Sequence, residues 1–166
     1  MESDQEFQQV VVAELPDAPN PTRHKKEVDE AVGATEFGFN VITAEPGERL
    51  PWGFHSHPDH EELFYVLSGR VAFETDDGDR EVTAGEVLFV PPGRGQRGVA
   101  VGDDPAEVVA VGAPKATDGA VIEEECPACG ETTDREYHSE RRDGTTAYVL
   151  SCAACGTEVD RLTPGP

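Results

Sequence analysis

The chain has 166 residues, with 34 Asp and Glu against 13 Lys and Arg, and a formal net charge of −21 at pH 7. Such a surface repels nucleic-acid phosphates and anionic membranes, and no dense basic patch interrupts it, so neither is an expected partner. No apolar run approaches the roughly 20 residues of a membrane-spanning helix. The opening Met1-Glu2-Ser3-Asp4-Gln5 lacks the apolar stretch of a secretory signal, so a cytoplasmic setting is expected. So large an excess of acid reads as halophilic, because molar salt shortens the Debye length to about 3 Å and screens the self-repulsion.

Residues 1–32 read as a loosely patterned lead-in. Val10-Val11-Val12 suits an edge strand, and Pro16, Pro19 and Pro21 interrupt the chain beyond it. Thr22 is placed to cap a short helix over Lys25 to Val32 that ends at Gly33. Residues 33–114 carry short apolar runs at Phe37–Ala44, Leu63–Leu67, Val71–Thr75, Arg80–Val82, Val87–Val90, Gln96–Val101 and Val108–Val111. Turn chemistry separates them, with Ser68-Gly69 and Ala84-Gly85 as tight turns suited to positive φ. Many short strands with frequent turns predict an all-β antiparallel sandwich or barrel. If Glu62 faces inward, so do Phe64 and Val66, which leaves Leu63, Tyr65 and Leu67 outside on an equally apolar face. The cover expected there is a second subunit, making a homodimer, or else the N-terminal segment. Ala113 to Gly119 reads as a linker, and residues 120–166 form a second module holding all four cysteines.

The stretch His55-Ser56-His57-Pro58-Asp59-His60-Glu61-Glu62 carries the clearest chemistry. Side chains at i and i+2 of a strand share a face, so His55 and His57 can address one ion, and a chain reversed at Pro58-Asp59 brings Glu62 back to it. Imidazole with carboxylate suits a divalent transition metal, namely Fe, Mn, Ni, Cu or Zn. Glu61, of opposite parity, is assigned outside. His60 reads as a solvated loop histidine, and His24 and His138 as surface residues. Trp52 and Phe54 read as barrel wall, and Arg94 and Arg97 as surface ion pairs in so acidic a chain.

From Gly47 to about Ala100 the sequence resembles the cupin superfamily. His55, His57, Glu62 and Gly69 match the first motif; Gly85, Pro91 and Gly93 match the second, where Gln96 replaces the customary histidine. The resemblance implies a double-stranded β-helix (jelly-roll) barrel with a metal in its mouth, held by His55, His57, Glu62 and, as a weaker neutral donor or a partner for metal-bound water, Gln96. It does not name a substrate, since the superfamily includes isomerases, dioxygenases, decarboxylases, storage proteins and regulators.

The second module opens with Cys126-Pro-Ala-Cys129-Gly130 and closes with Cys152-Ala-Ala-Cys155-Gly156, with a hairpin turn at Asp143-Gly144 between them. Two Cys-x-x-Cys pairs brought together by a hairpin suit tetrahedral thiolate coordination of Zn²⁺; a rubredoxin-like iron site and two redox dithiols are the alternatives. The module resembles the zinc ribbons, and a protein partner is expected through it. The expected function is metal-dependent chemistry on a small oxygen-rich substrate, with non-catalytic sensing of a small ligand or metal as the alternative. No catalytic acid–base pair is identifiable.

Overall fold

A computed structural model describes residues 6–165. The barrel strands are β1 (His24–Glu27), β2 (Gly38–Ala44), β3 (Arg49–Ser56), β4 (Glu61–Ser68), β5 (Arg70–Thr75), β6 (Arg80–Thr83), β7 (Val87–Val90), β8 (Gln96–Val101) and β9 (Ala106–Ala113). They form two facing antiparallel sheets, β1-β2-β9-β4-β7 and β3-β8-β5-β6. Between the sheets, Ile42, Leu50, Phe64, Val66, Val71, Phe73 and Val108 are buried as one core. The short strands thus form an antiparallel barrel as their pattern predicts, with the jelly-roll form that the cupin resemblance implies. The tight turn at Gly69 needs its glycine: φ is +73°, and a Cβ would stand 2.5 Å from the Pro105 carbonyl oxygen.

Two local expectations change. Val10-Val11-Val12 is no strand; a 3-10 turn covers Val12–Glu14 instead. The predicted helix is cut to α1 (Val28–Val32), ending at Gly33 in the left-handed region. His24 to Glu27 instead pair with β2, Lys25 opposite Ile42 and Glu27 opposite Asn40. Edge pairing supplies backbone partners that a short isolated helix could not match.

The cysteine module consists of β10 (Val121–Glu125), β11 (Thr132–Arg142), β12 (Thr145–Cys152) and β13 (Glu158–Leu162). Asp143 and Gly144 both take positive φ at the β11–β12 turn, as the expected hairpin requires. The module extends a barrel sheet. β10 pairs with β3, Val121 opposite Ser56 and Ile122 opposite His55, so eight strands run β13-β12-β11-β10-β3-β8-β5-β6. A second small core of Ile122, Leu150 and Leu162 takes in Trp52 from the barrel, and Arg49 pairs with Asp160. The segment read as a linker is tied down: Lys115 Nζ lies 2.7 Å from both Asp29 and Glu30, and the Thr117 hydroxyl donates to the Asp59 carbonyl at 2.7 Å.

Strand β4 has the expected parity. Phe64 and Val66 are buried, while Tyr65 and Leu67 stand exposed beside Val87 and Phe89 of the edge strand β7. Pairing places Leu63, Val109 and Val111 on this same outer face, making it apolar across three strands. Ala18, Pro19 and Asn20 of the lead-in lie away from it: Ala18 bonds to Lys25, Asn20 bonds to Thr163, and Pro19 bridges Pro164, all near β1 and the module. No helix among the described residues is long and apolar enough to cross a membrane.

Candidate metal centre and its cavity

Strand β3 carries His55 inward and ends at Ser56, so His57 begins the reversal that delivers Glu62 on β4. The three side chains converge. His55 Nε2 lies 3.5 Å from Glu62 Oε2 and His57 Nε2 lies 3.3 Å from Glu62 Oε1. One ligand atom from each lies within 4.8 Å of the others, close enough to hold one ion. The His55 ring is fixed from behind, where Nδ1–H donates to the Gly53 carbonyl at 3.0 Å. That bond turns Nε2 toward the cluster, the arrangement that orients metal-ligating histidines.

Burial alone would raise the Glu62 carboxyl, but hydrogen bonds and charge from His55 and His57 outweigh it and hold the group well below the usual carboxylate range. Burial likewise opposes charge on His57, whereas Glu62 and the main chain of Asp118 and Gly119 raise its pKa above the ordinary value. His57 Nδ1 nevertheless has no well-formed hydrogen bond.

Gln96 is 1 % exposed and sits against the same cluster. Its Nε2 donates to Glu62 Oε2 at 3.2 Å and lies 3.3 Å from His55 Nε2, while its Oε1 is buried without a partner. Amide nitrogen and oxygen are interchangeable by a half-turn. That turn would present the oxygen to the cluster, where a cation could take it, and carry the nitrogen to the buried position away from it.

The cluster opens into a cavity of about 270 Å³, walled by Asn20, Lys25, Asn40, Trp52, His60 and Tyr137 among others. His60 departs from the sequence reading. It is only 4 % exposed, its Nδ1–H donates to the Pro114 carbonyl at 2.9 Å, and its ring centre lies 4.8 Å from that of His57. A Cβ on Gly112 would stand 2.0 Å from His60 Nε2, so that glycine is what admits the ring. Sequence reasoning does not find Lys25, Asn20 or Asn40 either, because only the register of β1 on β2 brings that segment to the cavity.

The other aromatic and basic residues fall where the sequence puts them, with one addition. Phe54 packs over Gly95, and Trp52 is wall, yet it also lies against Tyr137 and Tyr148 of the module with ring centres 5.3 and 4.8 Å away. Arg94 pairs with Asp76 at 2.7 Å; Arg97 pairs with Glu74 at 2.5 Å and with Glu124 at 3.0 Å. His24 meets Asp17 at 3.0 Å, His138 meets Glu140 at 3.3 Å, and Glu61 is exposed as expected.

Among the described residues the other group able to hold a metal is Cys126, Cys129, Cys152 and Cys155. Two matching loops build it: Gly130 N–H donates to the Cys126 carbonyl and Gly156 N–H to the Cys152 carbonyl, both at 2.8 Å, with φ of +75° and +72° at the glycines. The sulfurs of Cys126 and Cys155 are 3.8 Å apart and those of Cys129 and Cys152 are 3.9 Å apart. Four sulfurs about 2.3 Å from a central ion define a tetrahedron with edges of about 3.8 Å, so the spacing fits. The Thr133 hydroxyl and the main-chain N–H groups of Cys155 and Ala154 bring the Cys152 thiol down to about 6. Glu131 main chain favours the Cys129 thiolate, but burial and the three neighbouring sulfurs push that thiol up to about 12.

Residues 40–112 match the family model for the cupin domain. The barrel is a cupin domain. A curated relative, polyketide synthase CurC of Streptomyces cyaneus, is 35% identical over 78 residues, covering 47% of this chain and 49% of that protein. The chain thus spans about half the length of the curated relative it matches. Among solved structures, a double-stranded β-helix protein from Klebsiella pneumoniae aligns with a TM-score of 0.58 at 22% identity, over 72% of this chain and 99% of that one. A predicted oxalate decarboxylase from Thermotoga maritima gives a TM-score of 0.56 at 22% identity, over 64% and 99%. A cupin-superfamily sugar phosphate isomerase from Silicibacter pomeroyi gives 0.57 at 19% identity, over 92% of both chains. At these identities the structural likeness establishes the cupin fold and leaves the chemistry to the site.

Proposed function

We propose that this cupin is a metal-dependent enzyme acting on a small oxygen-rich substrate, with His55, His57 and Glu62 as metal ligands and Gln96 as the fourth. The observation that carries the reading is three ligand atoms within 4.8 Å of one another on the wall of a cavity of about 270 Å³. The donor set fits a divalent transition metal: two imidazole nitrogens, one carboxylate held ionised, and a buried amide that a half-turn would aim oxygen-first at them. When bound, such an ion supplies Lewis-acid polarisation of a chelated oxygen, or redox capacity if it is Fe, Mn or Cu. The chain itself fixes the His55 ring through the Gly53 carbonyl and the neighbouring His60 ring through the Pro114 carbonyl, and lines the cavity with Trp52, Phe64 and Tyr137. Isomerase, dioxygenase and decarboxylase chemistry are all compatible with this reading.

The test is metal content of tag-free protein purified in molar KCl without chelators, beside His57→Ala. We expect two metals per chain in the wild type and loss of one in the variant, followed by turnover of a small hydroxy acid or sugar by the reloaded wild type. Identical metal content in the two proteins would overturn the reading.

The second metal is proposed to be structural zinc, which makes the cysteine module a zinc ribbon; the spacing of its sulfurs supports this. A sensor is the second reading. It is favoured by Ile122 and Tyr137 of the module lining the cavity, so that a bound ligand touches the element that would meet a partner protein. Retained ligand binding without turnover by the metal-loaded protein would decide for it. The charge of −21 supports a halophilic, cytoplasmic protein.

We also propose a homodimer through the outer face of β4, β7 and β9. In a chain of this charge, a face built of Leu63, Tyr65, Leu67, Val87, Phe89, Val109 and Val111 is out of place in water, and Tyr65, Leu67, Val87 and Phe89 stand exposed on it. A second copy presents the same uncharged patch, whereas any other surface of this chain would bring acids to it. Leu67→Glu with Phe89→Glu is expected to convert a dimer into a monomer by sedimentation equilibrium in molar salt. A wild type that sediments as a monomer would overturn the assignment.

A further inference from the structure

We propose that Lys25 is the anion-binding residue of the cavity and that the ligand is a small carboxylate bearing a neighbouring hydroxyl. The inference rests on the metal-site reading and gives its substrate a chemical class. Lys25 stands opposite Ile42 in the β1–β2 register, and Ile42 is buried in the barrel core, so the lysine lies on the inner face of the sheet. It lines the same cavity as His55, His57 and Glu62, and it is the one Lys or Arg among the described residues that does so.

The other basic side chains near this end of the molecule are engaged. Lys26 pairs with Asp17 at 2.9 Å and Lys115 with Asp29 and Glu30 at 2.7 Å, while Arg94 and Arg97 face Asp76, Glu74 and Glu124. Lys25 has a single acidic partner, Glu27, at 3.1 Å, and the Glu27 side chain is 41% exposed. An ammonium has three donors, so two remain for a ligand, and the exposed Glu27 arm can leave for solvent.

A single cation suits one carboxylate. A phosphate dianion is ordinarily met by a guanidinium fork or several donors, and both nearby arginines are committed elsewhere. A second observation points to a ligand on the same wall. Asn20 lines the cavity at 3 % exposure, its Nδ2 donates to Thr22 Oγ1 at 2.6 Å, and its Oδ1 is buried without a partner. A ligand hydroxyl is the donor that would satisfy it. In a chain of net charge −21, long-range attraction cannot bring an anion in, so a local cation must hold it.

Glycolate and glycolamide, matched in shape but not in charge, are the probes. Each is titrated calorimetrically into the full chain loaded with Mn²⁺ and, separately, stripped by chelator, for wild type, Lys25→Met, Lys25→Arg and Asn20→Ala. Lys25→Met is expected to reduce the preference for glycolate over glycolamide by about tenfold, the worth of one charge-assisted hydrogen bond, with metal content and glycolamide affinity unchanged. Lys25→Arg restores part of the preference, and Asn20→Ala weakens both probes alike. An unchanged preference in Lys25→Met overturns the proposal, and equal behaviour of Asn20→Ala and wild type overturns the hydroxyl contact. A barrel that takes up no metal overturns the metal reading instead. The stripped protein then decides on Lys25: a glycolate-dependent shift of its side-chain NMR signals supports the anion site, and no shift refutes it.

Discussion

Cys126→Ser is expected to abolish zinc binding at the four-cysteine cluster and to unfold residues 120–166 while the barrel stays folded. Cys126 is fully buried, and its carbonyl and amide close the first loop through Gly130 and Glu131. The apolar core beneath is three buried side chains, Ile122, Leu150 and Leu162, with partly buried neighbours. A core of that size cannot offset the cost of ordering the segment, about 1–2 kcal/mol per residue for the backbone. Structural zinc supplies about 10–16 kcal/mol in comparable small modules, so losing one thiolate removes the module's largest source of stability. The barrel has a separate and larger core that touches no cysteine. Thermal unfolding followed by circular dichroism should show the main transition nearly unmoved. Protease should cleave within the module, and zinc analysis should fall by one per chain. A variant that keeps its zinc and its protease resistance would show that the cluster is not a structural metal site.

Much of this architecture is legible in the sequence because it rests on local periodicity. Alternation along Glu62 to Leu67 predicts the parity that β4 adopts, and the turns at Gly69, Gly85 and Asp143-Gly144 take the positive φ that their residues suggest. The convergence of His55, His57 and Glu62 is equally readable, since the histidines are two apart and one reversal returns Glu62. The features hidden from sequence depend on register between distant segments. Lys25 looks like part of a helix until β1 is paired with β2, and His60 looks solvated until the Pro114 carbonyl and the bare face of Gly112 are brought to it. The motif places Gln96 beside Glu62 and His55, but only the structure shows its oxygen without a partner.

Trp52→Ala is expected to uncouple the module from the barrel and to open the cavity at the same time. Trp52 lies on β3, yet its ring packs against Tyr137 of β11, edge to face, and against Tyr148 of β12. Two residue pairs join β10 to β3, Val121 with Ser56 and Ile122 with His55, and polar ties from Arg49 to Asp160 and from Arg97 and the Phe54 N–H to Glu124 add to them, while the indole is the barrel's ring in the apolar contact across the seam. Truncating a large aromatic in a core costs about 3–5 kcal/mol, and for a half-buried ring the lower end, about 3 kcal/mol, is appropriate. A loss of that size should loosen the docking of the module on the barrel, with the strand pairs and polar ties left to hold it, although its zinc is retained. Ile122 and Tyr137 would leave the cavity wall with it. Ligand affinity should therefore fall in Trp52→Ala with barrel metal content unchanged, whereas Phe54→Ala, on the face away from the cavity, should leave affinity intact. Hydrogen exchange separates docking from folding: amides of Ile122 and of β3 near His55 should lose protection, while those of the β11–β12 hairpin keep it. Unchanged protection at Ile122 would mean that the strand pairing and the polar ties hold the two parts together without the indole, and that the tryptophan serves the cavity only.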